Sequence, residues 1–174
     1  MKLTRLLVIA ALAAAAFLLA KNYALEPFYV ASASMEPTLS KDDHLFLDKL
    51  TYRFRSPKRG EIIAFRDPEG RKELDFVKRV IATAGDTVEV RDKQVYVNGE
   101  KLFEPYTQYT RAGEKLQGDN LSPVAVPPDS LFLLGDNRDE SDDSLSWKNP
   151  ATGERILFVN LGAVTGKVRG AYPE

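Results

Sequence analysis

The sequence predicts a mainly β chain: a compact antiparallel β-sheet or barrel-like domain behind a single N-terminal transmembrane helix. Three observations carry that prediction. Leu6 to Ala20 is an uninterrupted apolar run. After it, short segments rich in β-branched, aromatic and aliphatic residues alternate with Gly, Pro, Asn and Asp turns. Beyond the run, no segment sustains the 3.6-residue period of an amphipathic helix for long.

The apolar run is preceded by Lys2 and Arg5 and followed by Lys21. As a helix its fifteen residues rise about 22 Å, short of a hydrocarbon core of roughly 30 Å. Leu3 before it and Tyr23-Ala24-Leu25 after it extend the apolar character, and Lys21 can snorkel. A cleaved secretory signal and a retained anchor both fit the length and the basic start. The Ala-x-Ala pattern of a cleavage site falls inside the run and is absent just after it. The positive flank places the N-terminus in the cytoplasm and the rest outside. Residues 1–25 are therefore read as the anchor and 26–174 as an extracytoplasmic β-rich domain. Glu26-Pro27 to Pro37 reads as a polar connector between them.

Strand segments follow in order: Leu45 to Leu47, Glu61 to Phe65, Leu74 to Ala84, Thr87 to Arg91, Gln94 to Val97, Ser130 to Leu134, Ile156 to Val159 and Ala163 to Val168. Arg59-Gly60, Asp67-Pro68, Gly85-Asp86, Asn98-Gly99, Pro127-Pro128-Asp129 and Thr152-Gly153 separate them. Thr87 to Val90 and Gln94 to Val97 both alternate, which makes a hairpin around Arg91-Asp92-Lys93. The stretch at about 98–125 is polar and reads as a small irregular subdomain.

Composition removes several function classes. Lys plus Arg number 24 against 25 Asp plus Glu, so there is no basic excess to bind nucleic acid. There is no Cys, which excludes thiolate catalysis, thiolate metal sites and disulfides. His44 is the single histidine. A histidine-rich metal site is impossible, and a hydrolytic site would use a base other than histidine unless His44 itself serves.

Three segments could carry chemistry. In Ser32-Ala33-Ser34-Met35-Glu36-Pro37, Pro37 biases Glu36 to extended backbone. If the preceding residues are extended too, Ser32 and Ser34 share a face, as a nucleophile and an oxyanion donor would. In Phe76-Val77-Lys78-Arg79-Val80-Ile81, alternation puts Lys78 with Phe76 and Val80. A lysine among apolar neighbours loses hydration and proton affinity, and can then act as a general base. The third, Gly135-Asp136-Asn137-Arg138-Asp139-Glu140-Ser141-Asp142-Asp143-Ser144, follows an apolar strand and is densely acidic. It misses the calcium-loop pattern: the required sixth-position Gly is Ser141 counting from Asp136 and Ser144 counting from Asp139. Each segment alone also has a plain reading: a small-residue linker, an edge-strand lysine, a solvated acidic loop.

Taken in order along the chain, these segments resemble type I signal peptidase, the membrane-bound Ser-Lys endopeptidase family. Arg59-Gly60-Glu61-Ile62-Ile63-Ala64-Phe65, Gly85-Asp86, Tyr96-Val97-Asn98-Gly99 and Val126-Pro127-Pro128 add to the likeness. The resemblance implies Ser34 as nucleophile and Lys78 as general base. It implies Ser32 and the Ser34 backbone as oxyanion hole, Ser141 as the group orienting Lys78, and Arg79, Asp136 and Asp143 as structural residues near the site. Met35 and Ile81 are placed by position in a substrate pocket for small side chains. No cofactor or metal is implied. The implied partners are signal peptides of exported preproteins, cut after Ala-x-Ala, and membrane lipid. A monomer in the bacterial cytoplasmic (inner) membrane, single-pass with its catalytic domain outside, is the expectation, and nucleic acid is not a partner. The sequence departs from the family pattern at Leu145, where Arg is usual, and in an apparent insertion at Lys148 to Leu157. Three rivals stand beside this reading: a peptidase with one dedicated substrate, a self-cleaving Ser-Lys regulator, and a non-enzymatic tethered β-domain.

Overall fold

The computed structural model describes residues 2–70 and 75–172. Leu74, which the strand pattern includes, lies outside the described residues. The elements are α1 (Lys2–Ala24), β1 (Leu25–Tyr29), a 3-10 turn (Ala33–Met35), β2 (His44–Asp48), α2 (Thr51–Phe54), β3 (Ile62–Arg66), β4 (Asp75–Thr83), β5 (Thr87–Arg91), β6 (Gln94–Val97), β7 (Glu100–Lys101), β8 (Leu121–Ala125), β9 (Ser130–Leu134), β10 (Val159–Asn160), a second 3-10 turn (Leu161–Ala163) and β11 (Val164–Tyr172).

The mainly β, antiparallel expectation holds. Seven strands pair in the order β1-β2-β11-β3-β4-β9-β10, and four more in the order β7-β6-β5-β8. The larger sheet is open at β1 and β10, so it is half a barrel and not a closed one. The N-terminal run lies within α1, on which Leu6, Leu7, Val8, Ile9, Leu12 and Phe17 are all exposed. Among the described residues, no helix is long and apolar enough to cross a membrane.

The turn chemistry explains the hairpins. Arg91 pairs with Gln94, leaving Asp92-Lys93 as a two-residue loop. Both have positive φ, at 45° and 67°, the geometry that matches the twist of the flanking strands. Asn98-Gly99 joins β6 to β7 in the same way.

Two expectations are corrected. Leu25–Tyr29 is not a connector: it pairs with β2 along its length, as the outermost strand. Pro27 is tolerated there because an edge strand has one side on which a missing N–H breaks no ladder bond. The 98–125 stretch is not wholly irregular, since β8 pairs with β5. The β8 register shifts between Val88 and Val90, and Pro123 interrupts the alternation, which hid the strand from pattern reading. Further on, Ile156 to Val159 gives only the two-residue β10.

Three apolar clusters frame the site. Phe65, Val80, Leu133 and Trp147 pack in one, with the Phe65 and Trp147 rings edge-on at 5.7 Å. Met35, Leu45, Leu47, Ala64 and Val77 pack in another, and Ile81, Val88, Val97, Phe132 and Leu134 in the third. β4 contributes to all three, which makes it the rigid beam of the fold. Each buried Val, Leu or Ile contributes about 1.5–3 kcal/mol.

Candidate active site

The Ser34 and Lys78 side chains meet. Lys78 Nζ donates to Ser34 Oγ at 2.8 Å and to the Val77 carbonyl at 3.2 Å. Lys78 is 2% exposed and Ser34 7%. Lys78 projects from the middle of β4, opposite Ile63 of β3, so its backbone is held by the sheet ladder. Ser34 sits in the 3-10 turn after β1. That turn is pinned to the segment after β9: Asn137 N donates to the Ser34 carbonyl at 3.1 Å, and Asn137 Nδ2 to the Ala33 carbonyl at 3.2 Å.

Burial governs the lysine. Desolvation pushes the Lys78 amine down from 10.5 to about 8, and the charges of Asp143, Asp142 and Asp136 pull it back upward. No carboxylate among the described residues lies within ion-pair distance of it. The amine can therefore give up its proton around pH 8, well below an ordinary lysine, and a proton acceptor must be unprotonated. Ser32 Oγ lies 3.1 Å from Ser34 Oγ, so two hydroxyls and one amine converge.

Next in sequence, Arg79 is treated in the opposite way. Its Nε and Nη2 bind the two Asp136 carboxylate oxygens at 2.8 and 2.6 Å, and its Nη1 donates to the Gly60 carbonyl at 2.9 Å. Thr38 Oγ1 also donates to Asp136. Asp143 is fully buried, and its carboxylate accepts from Gly135 N and Leu145 N at 3.0 Å each. Burial pushes the Asp143 carboxyl up. At Leu145, where the resemblance expects Arg, it is the backbone N–H that reaches Asp143, so backbone amides hold this carboxylate.

Ser141, which the resemblance makes the orienting group, forms no hydrogen bond to Lys78. Its Oγ is buried without a partner at full hydrogen-bond geometry, although it faces Asp143 closely enough to favour that carboxylate. It lies against Gly135, where an added Cβ would sit 2.2 Å from Ser141 Oγ and 2.4 Å from the Ser34 carbonyl oxygen. Only a residue without a side chain fits between the Ser34 turn and the segment that follows β9.

A cleft of about 500 Å³ opens beside Ser34, lined by Pro27 to Ser32, Met35 and Asp75 to Val77. Met35 lines it. Ile81 does not, which corrects its placement in a pocket: the β4 register shifts between Val80 and Ala82, and Ile81 turns into the core with Val88 and Phe132. His44 is exposed at the start of β2, its ring 5.6 Å from Tyr29. Among the described residues, no cluster of His, Asp and Glu is arranged to hold a metal ion. Gly135, Asn137 and Thr38 went unassigned in the sequence. The Gly-Asp-Asn step at the end of an apolar strand is the one signal that could have flagged the first two.

The Lys148 to Leu157 insertion forms a small hairpin. Lys148 bridges Arg155, and the Asn149 side chain accepts from Ala151 N and Thr152 N.

Similarity to known proteins shows the family. Residues 2–172 match the family model for signal peptidase, peptidase S26. Signal peptidase I P of Bacillus subtilis subsp. natto is 40% identical over 131 residues, 73% of this chain and 69% of that protein. Probable signal peptidase I-2 of a Synechocystis strain is 41% identical over 131 residues, 73% of this chain and 57% of that protein. The crystal structure of a signal peptidase I from Enterococcus faecalis V583 superposes with a TM-score of 0.50 at 31% identity, covering 66% of this chain and 98% of that one. With a buried Ser-Lys pair on a matching fold, and a family model that spans nearly the whole chain, this protein belongs to the signal peptidase family, peptidase S26, and is a hydrolase of the serine peptidase class.

Proposed function

We propose that this protein is a membrane-bound endopeptidase that removes signal peptides from exported preproteins after Ala-x-Ala, by a Ser-Lys acyl-enzyme mechanism. The observation that carries the reading is the 2.8 Å contact between Ser34 Oγ and a buried Lys78 amine. Ser34 Oγ attacks the scissile carbonyl while Lys78 Nζ takes its proton. The oxyanion is stabilised by the Ser32 hydroxyl and the Ser34 N–H, each such donor being worth about 2.7–4 kcal/mol of barrier. Lys78 then protonates the leaving amine, the C–N bond breaks, and the acyl-enzyme remains. A water, deprotonated by Lys78, releases the signal peptide and restores the serine.

The cleft beside Ser34 is bordered by the free edge of β1, a backbone template for an extended peptide. The exposed apolar side chains of α1 find their natural solvent in lipid, with the β-domain on the extracytoplasmic side. On this reading residues 1–25 anchor and 26–174 catalyse.

The test is cleavage of a preprotein carrying an Ala-x-Ala site, in detergent or lipid, by wild type, Ser34→Ala and Lys78→Ala. The reading expects cutting after the second alanine by wild type alone, with both variants folded and inactive. Full activity in Lys78→Ala would sink the dyad.

A further inference from the structure

The segment Glu104 to Gln108, in the stretch that reads as irregular from sequence, is strapped across the catalytic loop. Glu104 forms an ion pair with Arg138 in which the side chains are only 7% and 6% exposed. Arg138 in turn donates from Nε to the Gly135 carbonyl at 3.1 Å. Tyr106 donates its hydroxyl to Glu104 at 3.0 Å, while its ring lies under the Arg79 guanidinium at 3.9 Å. Gln108 closes the strap through its backbone: its N–H reaches the Asp136 carbonyl at 2.9 Å, and its carbonyl accepts from Arg138 N at 3.0 Å. One five-residue segment thus grips the residues on both sides of Asn137, whose N–H and amide hold the Ser34 turn.

We propose that Glu104 is a positioning residue for the Ser34-Lys78 pair: by neutralising Arg138 and anchoring Tyr106 beneath Arg79, it sets both the placement and the charge balance of the catalytic loop behind Lys78. The inference rests on the Ser-Lys peptidase reading. Its charge argument follows from what faces each group. Lys78 is faced by Asp136, Asp142 and Asp143, with Arg79 engaged by Asp136. Arg138 is faced by Glu104, Tyr109 and Asp143. Glu104 is faced by Arg138, Tyr106 and Tyr109. Removing the Glu104 charge leaves one buried cation without its carboxylate, close to Asp143. The added positive field disfavours the protonated form of Lys78, so the lysine loses its proton at lower pH.

The experiment is the pH profile of kcat/KM for preprotein cleavage by the full chain in lipid, with thermal melting to establish folding. Glu104→Gln should lower kcat about tenfold with KM held, as expected for a displaced catalytic group. It should also move the acid limb of the profile down by about half a pH unit. Adding Arg138→Gln should return the limb to its wild-type position, because no unpaired charge remains. Glu104→Asp, which keeps the charge on a shorter stem, should lower kcat with the wild-type limb. If Glu104→Gln does not fold, the double variant and Glu104→Asp decide. Wild-type kcat in both, or an unmoved limb in a folded Glu104→Gln, overturns the inference alone. An inert wild type overturns the peptidase reading and this inference with it.

Discussion

Lys78 and Arg79 are neighbours on one strand, both cationic by type and both buried, yet the fold treats them oppositely. Arg79 receives a bidentate carboxylate, a backbone carbonyl and an aromatic face. Lys78 receives a hydroxyl, a peptide carbonyl and the face of the Phe76 ring at 5.8 Å, with no carboxylate of the described residues in ion-pair reach. Arginine keeps its proton, so the fold must compensate its charge; lysine can give its proton up, so the fold can leave it uncompensated. On the Ser-Lys reading proposed above, the difference separates a structural cation from a chemical one. Burial marks both, and only the partners tell them apart.

The comparison can be broken most sharply at the Lys78 side of β4. Ser34→Ala or Lys78→Ala should lower kcat about 10⁴-fold or more, since either removes the reacting pair. Quenched-flow or gel-based preprotein cleavage reads this, and a loss under tenfold would mean that another base serves.

On the Arg79 side the effect should appear in stability. Asp136→Asn strips the charge from its bidentate partner and leaves a buried guanidinium uncompensated. It should destabilise the protein by about 3–5 kcal/mol in denaturant titrations. A loss below about 1 kcal/mol would mean that the Gly60 carbonyl and Tyr106 ring suffice to hold Arg79.

The same logic predicts the opposite sign for the lysine. Its proton affinity in the fold, about 8, lies below the ordinary 10.5. Between those values the unfolded chain binds the extra proton, so stability from this group rises with pH and is fully withheld below about pH 8. Lys78→Met should therefore stabilise the folded protein at pH 7, by up to about 3 kcal/mol, while abolishing activity. A lower melting temperature for Lys78→Met at pH 7 would contradict an uncompensated amine.

The gentlest test is the pH profile of the wild type. Activity should climb with pH through an apparent midpoint near 8, because only the unprotonated amine accepts the Ser34 proton. The absence of a midpoint below 10 would mean a solvated lysine.

Much of this was legible beforehand because it is local. Asn98-Gly99 turns where positive φ is cheap, and the hairpin at Asp92-Lys93 closes where two alternating strands abut. The Ser32-x-Ser34 spacing and the Lys78-Arg79 step were visible as candidates, since residue types and short spacings survive in one dimension. β1 and β8 were not legible. Each carries a proline and is ordered by its partner strand and not by its own pattern. Ile81 was placed by its position in the sequence alone, and the register shift in β4 turns it into the core with Val88 and Phe132. The Glu104-Arg138 pair and the Gly135 contact were equally hidden, for they join residues whose separation in sequence says nothing of distance.

The sequence by itself determined the strand-dominated fold, its turns, and the cast of groups able to do chemistry without cysteine or a histidine cluster. Only the tertiary structure decided which cation is compensated and which is not. That choice depends on bringing Asp136 to Arg79 and keeping the carboxylates of the described residues out of ion-pair reach of Lys78. It is made by the β4–β9 register and by the loop that follows β9, not by any property of the two side chains alone.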